Sequence, residues 1–265
     1  MTLLELDFMR RGLLAAVVVG LAAPAIGTFI VQRRLALLGD GLGHMAVTGV
    51  AVGFLTRTSP LVTALVVAAV SAVGLEMLRE RGHTAGDVAL AILFYGGIAG
   101  GVFLTSLSPV GGGSLLSYLF GSVLTVDQGE LIGIAGLCTL VLIALAVLGK
   151  QLFAVCYDEE VARASGLRVR GLNMSLAVIS AVTVVVAMRV VGLLLVAALM
   201  VIPVAAAQSL SWSFRSTVFW GMGLGVVATI LGLVVAFYAD ASPGATIVLA
   251  ALVLYLLSSV KRLIW

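Results

Sequence analysis

The sequence predicts an all-α, polytopic integral membrane protein of eight or nine transmembrane helices, and three observations carry the prediction. Hydrophobic residues make up 62% of the 265-residue chain and charged residues only 10%, with a mean hydropathy of +1.25, a balance far outside that of water-soluble domains. Apolar windows of about 20 residues, the length a helix needs to cross a bilayer, recur almost from end to end. No run of short alternating segments, the mark of a membrane β-barrel, interrupts them.

In chain order the windows place spans at 12–31, 38–55, 60–78, 86–105, 130–149, 172–189, 190–208, 216–238 and 245–260. The first lacks the short apolar core and small-residue cleavage site of a removable signal peptide and is expected to be retained. The second is crowded with Gly39, Gly41, Gly43, Gly49 and Gly53; Gly49/Gly53 have the small-xxx-small spacing that lets membrane helices approach closely. The fourth repeats it in Gly96/Gly100 and Gly97/Gly101, where close packing is all the pattern says. The sixth and seventh divide near Arg189, inside an apolar run from Leu172 to Ala207 too long for one span. Before the ninth, Asp240, Ser242, Pro243 and Gly244 read as an interfacial turn.

Positive charge gathers at Arg33/Arg34, Arg79/Arg81, Lys150 through Arg170, Arg215 and Lys261/Arg262, which marks those segments as cytoplasmic. Nine spans then put the N-terminus outside, with Arg10 and Arg11 on the opposite side from the rest. The net charge of +3 reflects this orientation and carries no message about nucleic acid. Cys138 and Cys156 lack metal-pair spacing and are expected to be free thiols. With no separate soluble segment evident, residues 1–265 read as one transmembrane domain whose longest non-spanning stretches are 106–129 and 150–171.

Within the second span, "GDGLGHMAVTG" places Asp40, His44 and Thr48 at i, i+4 and i+8, one polar stripe on a helix. Two readings are open. Asp40 caps the start of the span and His44 bonds a neighbouring helix, or the stripe faces a cavity or partner, as ionisable residues inside a membrane normally do. His83 and Asp87 form a second i, i+4 pair, read first as a helix-start feature in which Thr84 and Asp87 satisfy free amides; Thr48 and Asp87 are the candidates for a secondary polar path. Asp127 and Glu130 read as solvated loop charges.

The most charged stretch is "CYDEEVARASGLRVRG", residues 156–171. Asp158 is placed to cap a short helix, Glu159 and Glu160 suit its positive end, and Gly166 can close it in the left-handed conformation. A short capped helix on the cytoplasmic face is a solvated connector by default, and is also a shape that fits a groove on a soluble partner.

At this point "RRLALLGDGLGHMAVTGVAVGFL", "CYDEEVARASGLRVRGLN", "VTVVVAMRVVGLLLVAALMVIPVAAAQ" and "ASPGATIVLAALVLYLL" resemble, in the same order and over nearly the whole chain, the membrane permeases of bacterial ABC importers for zinc, manganese, iron and related divalent metals. Glycine at 41 and 43, where that family more often has alanine and serine, is a departure expected to alter packing more than chemistry. The resemblance implies a type II ABC importer-like fold in the bacterial plasma membrane and a homodimer. It also implies a cytoplasmic ABC ATPase partner and an extracytoplasmic metal-binding protein that delivers the ion. It maps the family's coupling segment onto Asp158, Glu159, Glu160, Ala162 and Gly166, and its membrane Asp/His pair onto Asp40 and His44. Two copies meeting near a two-fold axis would then offer two carboxylates and two imidazoles to a transported Zn2+ or Mn2+. No permanently bound cofactor is implied, and ATP belongs on the partner.

The residues exclude some classes independently. Gly149-Lys150 is followed by Gln151, so no phosphate-binding loop exists and the chain is not itself the ATPase. His44 and His83, the only histidines, are too far apart in sequence for a zinc-protease motif. An ion-coupled secondary transporter would also use intramembrane Asp and His but should show inverted repeats, and none is evident.

Overall fold

The computed structural model describes residues 7–80, 86–107, 119, 121 and 127–264. Every element among them is helical: α1 (Asp7–Gln32), α2 (Leu38–Thr56), α3 (Pro60–Glu80), α4 (Gly86–Ser106), α5 (Gln128–Tyr157), α6 (Glu159–Ala164), α7 (Val169–Val190), α8 (Leu193–Leu210), α9 (Phe214–Ala239) and α10 (Pro243–Ile264). Eight of these are long and apolar enough to cross a membrane, and α8 is a shorter apolar helix.

The expected division near Arg189 occurs two residues later. Helix α7 ends at Val190 and Gly192 takes φ +90°, a conformation that favours glycine, before α8 begins. The turn is enclosed by close backbone approaches. A Cβ on Gly121 would lie 2.5 Å from the Gly192 nitrogen, and one on Gly244 would collide with the Val191 carbonyl oxygen. The Asp240 turn also forms as expected, with Asp240 in the left-handed region at φ 50° closing α9.

Helix α5 departs most from its predicted bounds. It runs 30 residues, from Gln128 to Tyr157, rather than ending near 149. At 1.5 Å per residue this is about 45 Å, against about 30 Å of hydrocarbon. "KQLFAVCY" contains no Gly or Pro to stop the helix, so it runs on, longer than the apolar layer is thick, until Asp158 breaks it with φ −153°.

Burial separates an inner set of helices from an outer one. α1 and α7 are the most enclosed, α2 follows, and α3, α4, α5, α9 and α10 show most of their apolar surface to the outside. Such an arrangement cannot rest on a hydrophobic driving force between helices, because lipid is as apolar as leucine; close packing takes its place. Gly20 of α1 faces Thr229 of α9, Gly49 of α2 faces the backbone of Ala64 in α3, and Gly53 faces Pro60 and Thr63. The Gly49/Gly53 spacing thus reports the α2–α3 contact. Buried hydroxyls on the inner helices bond to their own helix: Ser180 donates to Leu176 O at 2.7 Å and Thr183 to Ile179 O at 2.8 Å. Cys138 and Cys156 are free.

Candidate functional site

Helix α2 packs against α3 and α4, and against α7 and α8 behind them. It opens without a side-chain cap: Leu37 occupies the N-cap position, and the Asp40 carboxylate, three residues on, accepts no hydrogen bond among the described residues. Asp40 is half-buried and interacts electrostatically with His44, one turn further along the same face. Asp40 lies in the first turn of α2, where its carboxylate suits the positive helix end, without making the side-chain hydrogen bond of a cap.

His44 sits edge-on to Phe94 of α4, with ring centroids 4.5 Å apart and an interplanar angle of 78°. The contact needs α4 to come very close. A Cβ on Gly97 would stand 2.6 Å from the His44 carbonyl carbon and 2.9 Å from its Cβ, so only glycine fits there. Of the four glycines in the two pairs seen in the fourth span, Gly97, Gly100 and Gly101 face α2, whereas a Cβ on Gly96 would meet nothing within 4 Å. Thr48 completes the stripe by donating its hydroxyl to Gly97 O at 2.8 Å.

His44 lines a cavity of about 520 Å³ between α2 and α4, with Val47, Gly97, Gly101, Thr105 and Leu119 among its walls. The imidazole is the one ionisable group on a lining that is otherwise apolar or hydroxylic among the described residues. An imidazole and a carboxylate one turn apart supply two oxygen or nitrogen donors to a divalent cation, and no group of three or more His, Cys, Asp or Glu comes together among the described residues. Within one copy, the described residues do not by themselves make up a metal site. Gly41 shares the α4-facing side with His44 and Thr48, approaching Leu93, whereas Gly43 turns to another face, toward Leu193 of α8; both are packing positions.

Asp87 falls in the first turn of α4, with its side chain, like His83 and Thr84, outside the described residues. Asp127 has the solvent exposure expected of it, whereas Glu130 is not a loop charge. Asp127 caps α5, accepting from Glu130 N at 2.6 Å, and Glu130, half-buried in the first turn, pairs with Arg189 of α7. Proximity to a loop suggested solvation; the interior position of Arg189 overrides it.

The 156–171 stretch folds as its caps predict. Asp158 accepts from Val161 N at 3.0 Å, the six-residue helix α6 follows, and Gly166 turns the chain at φ +80°. Its residues divide between two faces. Glu160, Val161 and Ala164 are exposed, whereas Ala162 is 2% exposed and seated against the bundle. Glu159 points partly inward, pairing with Arg33 at 3.0 Å and with Arg163 at 3.0 Å. Arg33 also donates to Asn173 of α7. Composition marked Arg33 only as a sign of the cytoplasmic side, and nothing in the sequence pointed to Asn173.

A helical membrane chain with an acid/imidazole stripe on its second helix and a short capped helix at one end matches one family over nearly its full length. The ABC 3 transport family matches residues 5–262. The chain belongs to that family. Relatives include the high-affinity zinc uptake system membrane protein ZnuB of Haemophilus influenzae, 28% identical over 97% of this chain and 98% of its own. The manganese import system permease protein ScaB of Streptococcus gordonii is 28% identical over 96% of this chain and 91% of its own. Among solved structures, PsaBC from Streptococcus pneumoniae in complex with Fab superposes with a TM-score of 0.88 at 29% identity, covering 97% of this chain and 92% of that one. The all-helical permease architecture expected from the sequence is thereby established, as is a multi-pass position in the bacterial plasma membrane.

Proposed function

We propose that residues 1–265 form one permease domain, the transmembrane subunit of an ATP-driven importer that carries a divalent transition metal ion, zinc foremost, into the cytoplasm. The observation that carries this reading is the α2 stripe: an unbonded Asp40 one turn from a cavity-lining His44. Two copies arranged about an axis beside α2 and α4 would pool two carboxylates and two imidazoles. That set lowers the barrier to a dehydrated dication in an apolar path, yet it is loose enough to release the ion.

Family membership supports a cytoplasmic ATPase chain and an extracytoplasmic metal-binding protein as partners. The exposed face of α6 is the surface offered to the ATPase; Asp158 and Gly166 set the ends of that helix, Glu159 and Ala162 seat it, and Glu160 and Val161 face outward. Manganese is the second reading, favoured by the likeness to ScaB and by a carboxylate in the ligand set, which suits Mn2+ as imidazole suits Zn2+.

Vesicles holding the permease with its ATPase and binding protein should take up Zn2+ when ATP is supplied. The permease alone should neither hydrolyse ATP nor take up metal, because its sequence carries no phosphate-binding loop. Metal uptake by the lone permease on a proton gradient would overturn the reading in favour of a secondary transporter.

A further inference from the structure

A three-way tie at the cytoplasmic end joins elements whose connection the proposed function leaves unexplained. Arg33 lies just past α1, and its side chain is 9% exposed. Nη1 donates to Asn173 Oδ1 at 2.7 Å near the start of α7, and Nη2 donates to Glu159 Oε2 at 3.0 Å in the first turn of α6. Asn173 is itself buried, at 4% exposure. A guanidinium is planar and presents its donors in a fixed fork, so two simultaneous bonds fix its plane and, through it, the relative positions of both acceptors.

The geometry points to Arg33 as the positioning residue that makes α6 move together with α1 and α7. The inference rests on α6 being the ATPase contact. A helix of six residues cannot hold a position by itself. Its N-terminal end hangs from Asp158, which also terminates α5, and the only ion pair tying it to the inner helices among the described residues is the one to Arg33. Displacement of the outward face, Glu160 and Val161, is therefore transmitted inward through the Arg33 fork.

What receives the displacement is an unbroken helix. From Asn173, α7 runs about 16 Å to Val184. There Val184 Cγ1 lies 3.7 Å and Leu193 Cδ1 2.8 Å from the place a Cβ on Gly43 would take, and Gly43 adjoins His44. Near its start, α7 is also held to α3 by Arg170–Glu80 at 2.9 Å, and α3 packs on another side of α2. The tie thus ends on two elements that pack against α2 on faces other than the one its polar stripe turns to α4, α7 doing so at Gly43 beside His44.

The test uses the complete complex of permease, ATPase and binding protein in vesicles, with Zn2+ and Mn2+ supplied separately, reading metal uptake and ATP hydrolysis together. Arg33→Ala and Glu159→Ala should each lower uptake per ATP hydrolysed by about tenfold while the complex still assembles and hydrolyses ATP. The exchanged pair R33E/E159R should recover uptake to within about threefold of the wild type, which a residue needed only for local stability of its own turn would not allow. Unchanged uptake per ATP in the single variants, or an exchanged pair that assembles and hydrolyses ATP but stays uncoupled, overturns the proposal. Should Arg33→Ala fail to insert, Glu159→Ala decides, because it removes only a half-exposed acceptor. Glu160→Lys separates the two levels of the argument: undiminished ATPase binding in that variant removes the contact reading itself, whatever Arg33 does.

Discussion

Thr48 donates its hydroxyl to the carbonyl of Gly97 at 2.8 Å, and the same glycine leaves no room for a side chain against the backbone of His44. One contact thus joins two functions of α2: it fixes the distance to α4 and it holds the imidazole where the cavity between them opens.

Gly97→Ala should force α4 away from α2, since its Cβ would meet backbone rather than a flexible side chain. The expected cost is about 1–3 kcal/mol, with metal uptake falling alongside. Gly96→Ala, one residue away with nothing within 4 Å, should stay within about 0.5 kcal/mol of the parent. Thermal unfolding of the detergent-solubilised protein measures both, and equal effects would mean the α2–α4 contact is not as tight as described.

His44→Ala and Asp40→Asn should abolish metal uptake and leave assembly with the ATPase intact, Asp40→Asn doing so at nearly constant shape. Metal binding to the complex should weaken at a pH low enough for the imidazole to take up a proton and cease to be a ligand. Wild-type uptake rates in both variants would show that the ion crosses elsewhere.

The two faces of α6 should respond differently. Glu160→Lys alters only an exposed charge and should weaken ATPase binding without affecting insertion or stability. Ala162→Trp places a large side chain at a site that is 2% exposed and should lift the helix off its seat, uncoupling hydrolysis from transport. Co-purification with the ATPase and uptake per ATP distinguish the outcomes; identical behaviour of the two variants would contradict the division into faces.

Arg189 and Glu130 join the end of α7 to the first turn of α5. The Arg189 side chain is 12% exposed, so Arg189→Met leaves Glu130, one of whose oxygens is buried without a hydrogen bond among the described residues, without its cation. The expected loss is about 2 kcal/mol, reduced from the fully buried case because Glu130 is about one-third exposed. Adding Glu130→Gln should recover part of it, and additive losses in the double variant would argue against the pair.

Local readings of the chain held wherever a local cause decided the outcome. Hydropathy located the long apolar helices, because the bilayer imposes a length on any apolar run; α2 runs Leu38–Thr56 where the window suggested 38–55. The break between α7 and α8 followed from an apolar run too long for one span, and α6 from an aspartate and a glycine with the right spacing. Other features depended on partners far away in sequence: Glu159 on Arg33, separated by 126 residues, Asn173 on Arg33, by 140, and Arg189 on Glu130, by 59. A hydropathy pattern records which residues prefer lipid but not which helix each one meets, and in a membrane every apolar face satisfies lipid equally well. Small-residue contacts and a few buried hydrogen bonds select the neighbours instead, so only the tertiary structure could separate Gly97 from Gly96, turn Ala162 inward and make Glu130 an interior partner rather than a loop charge.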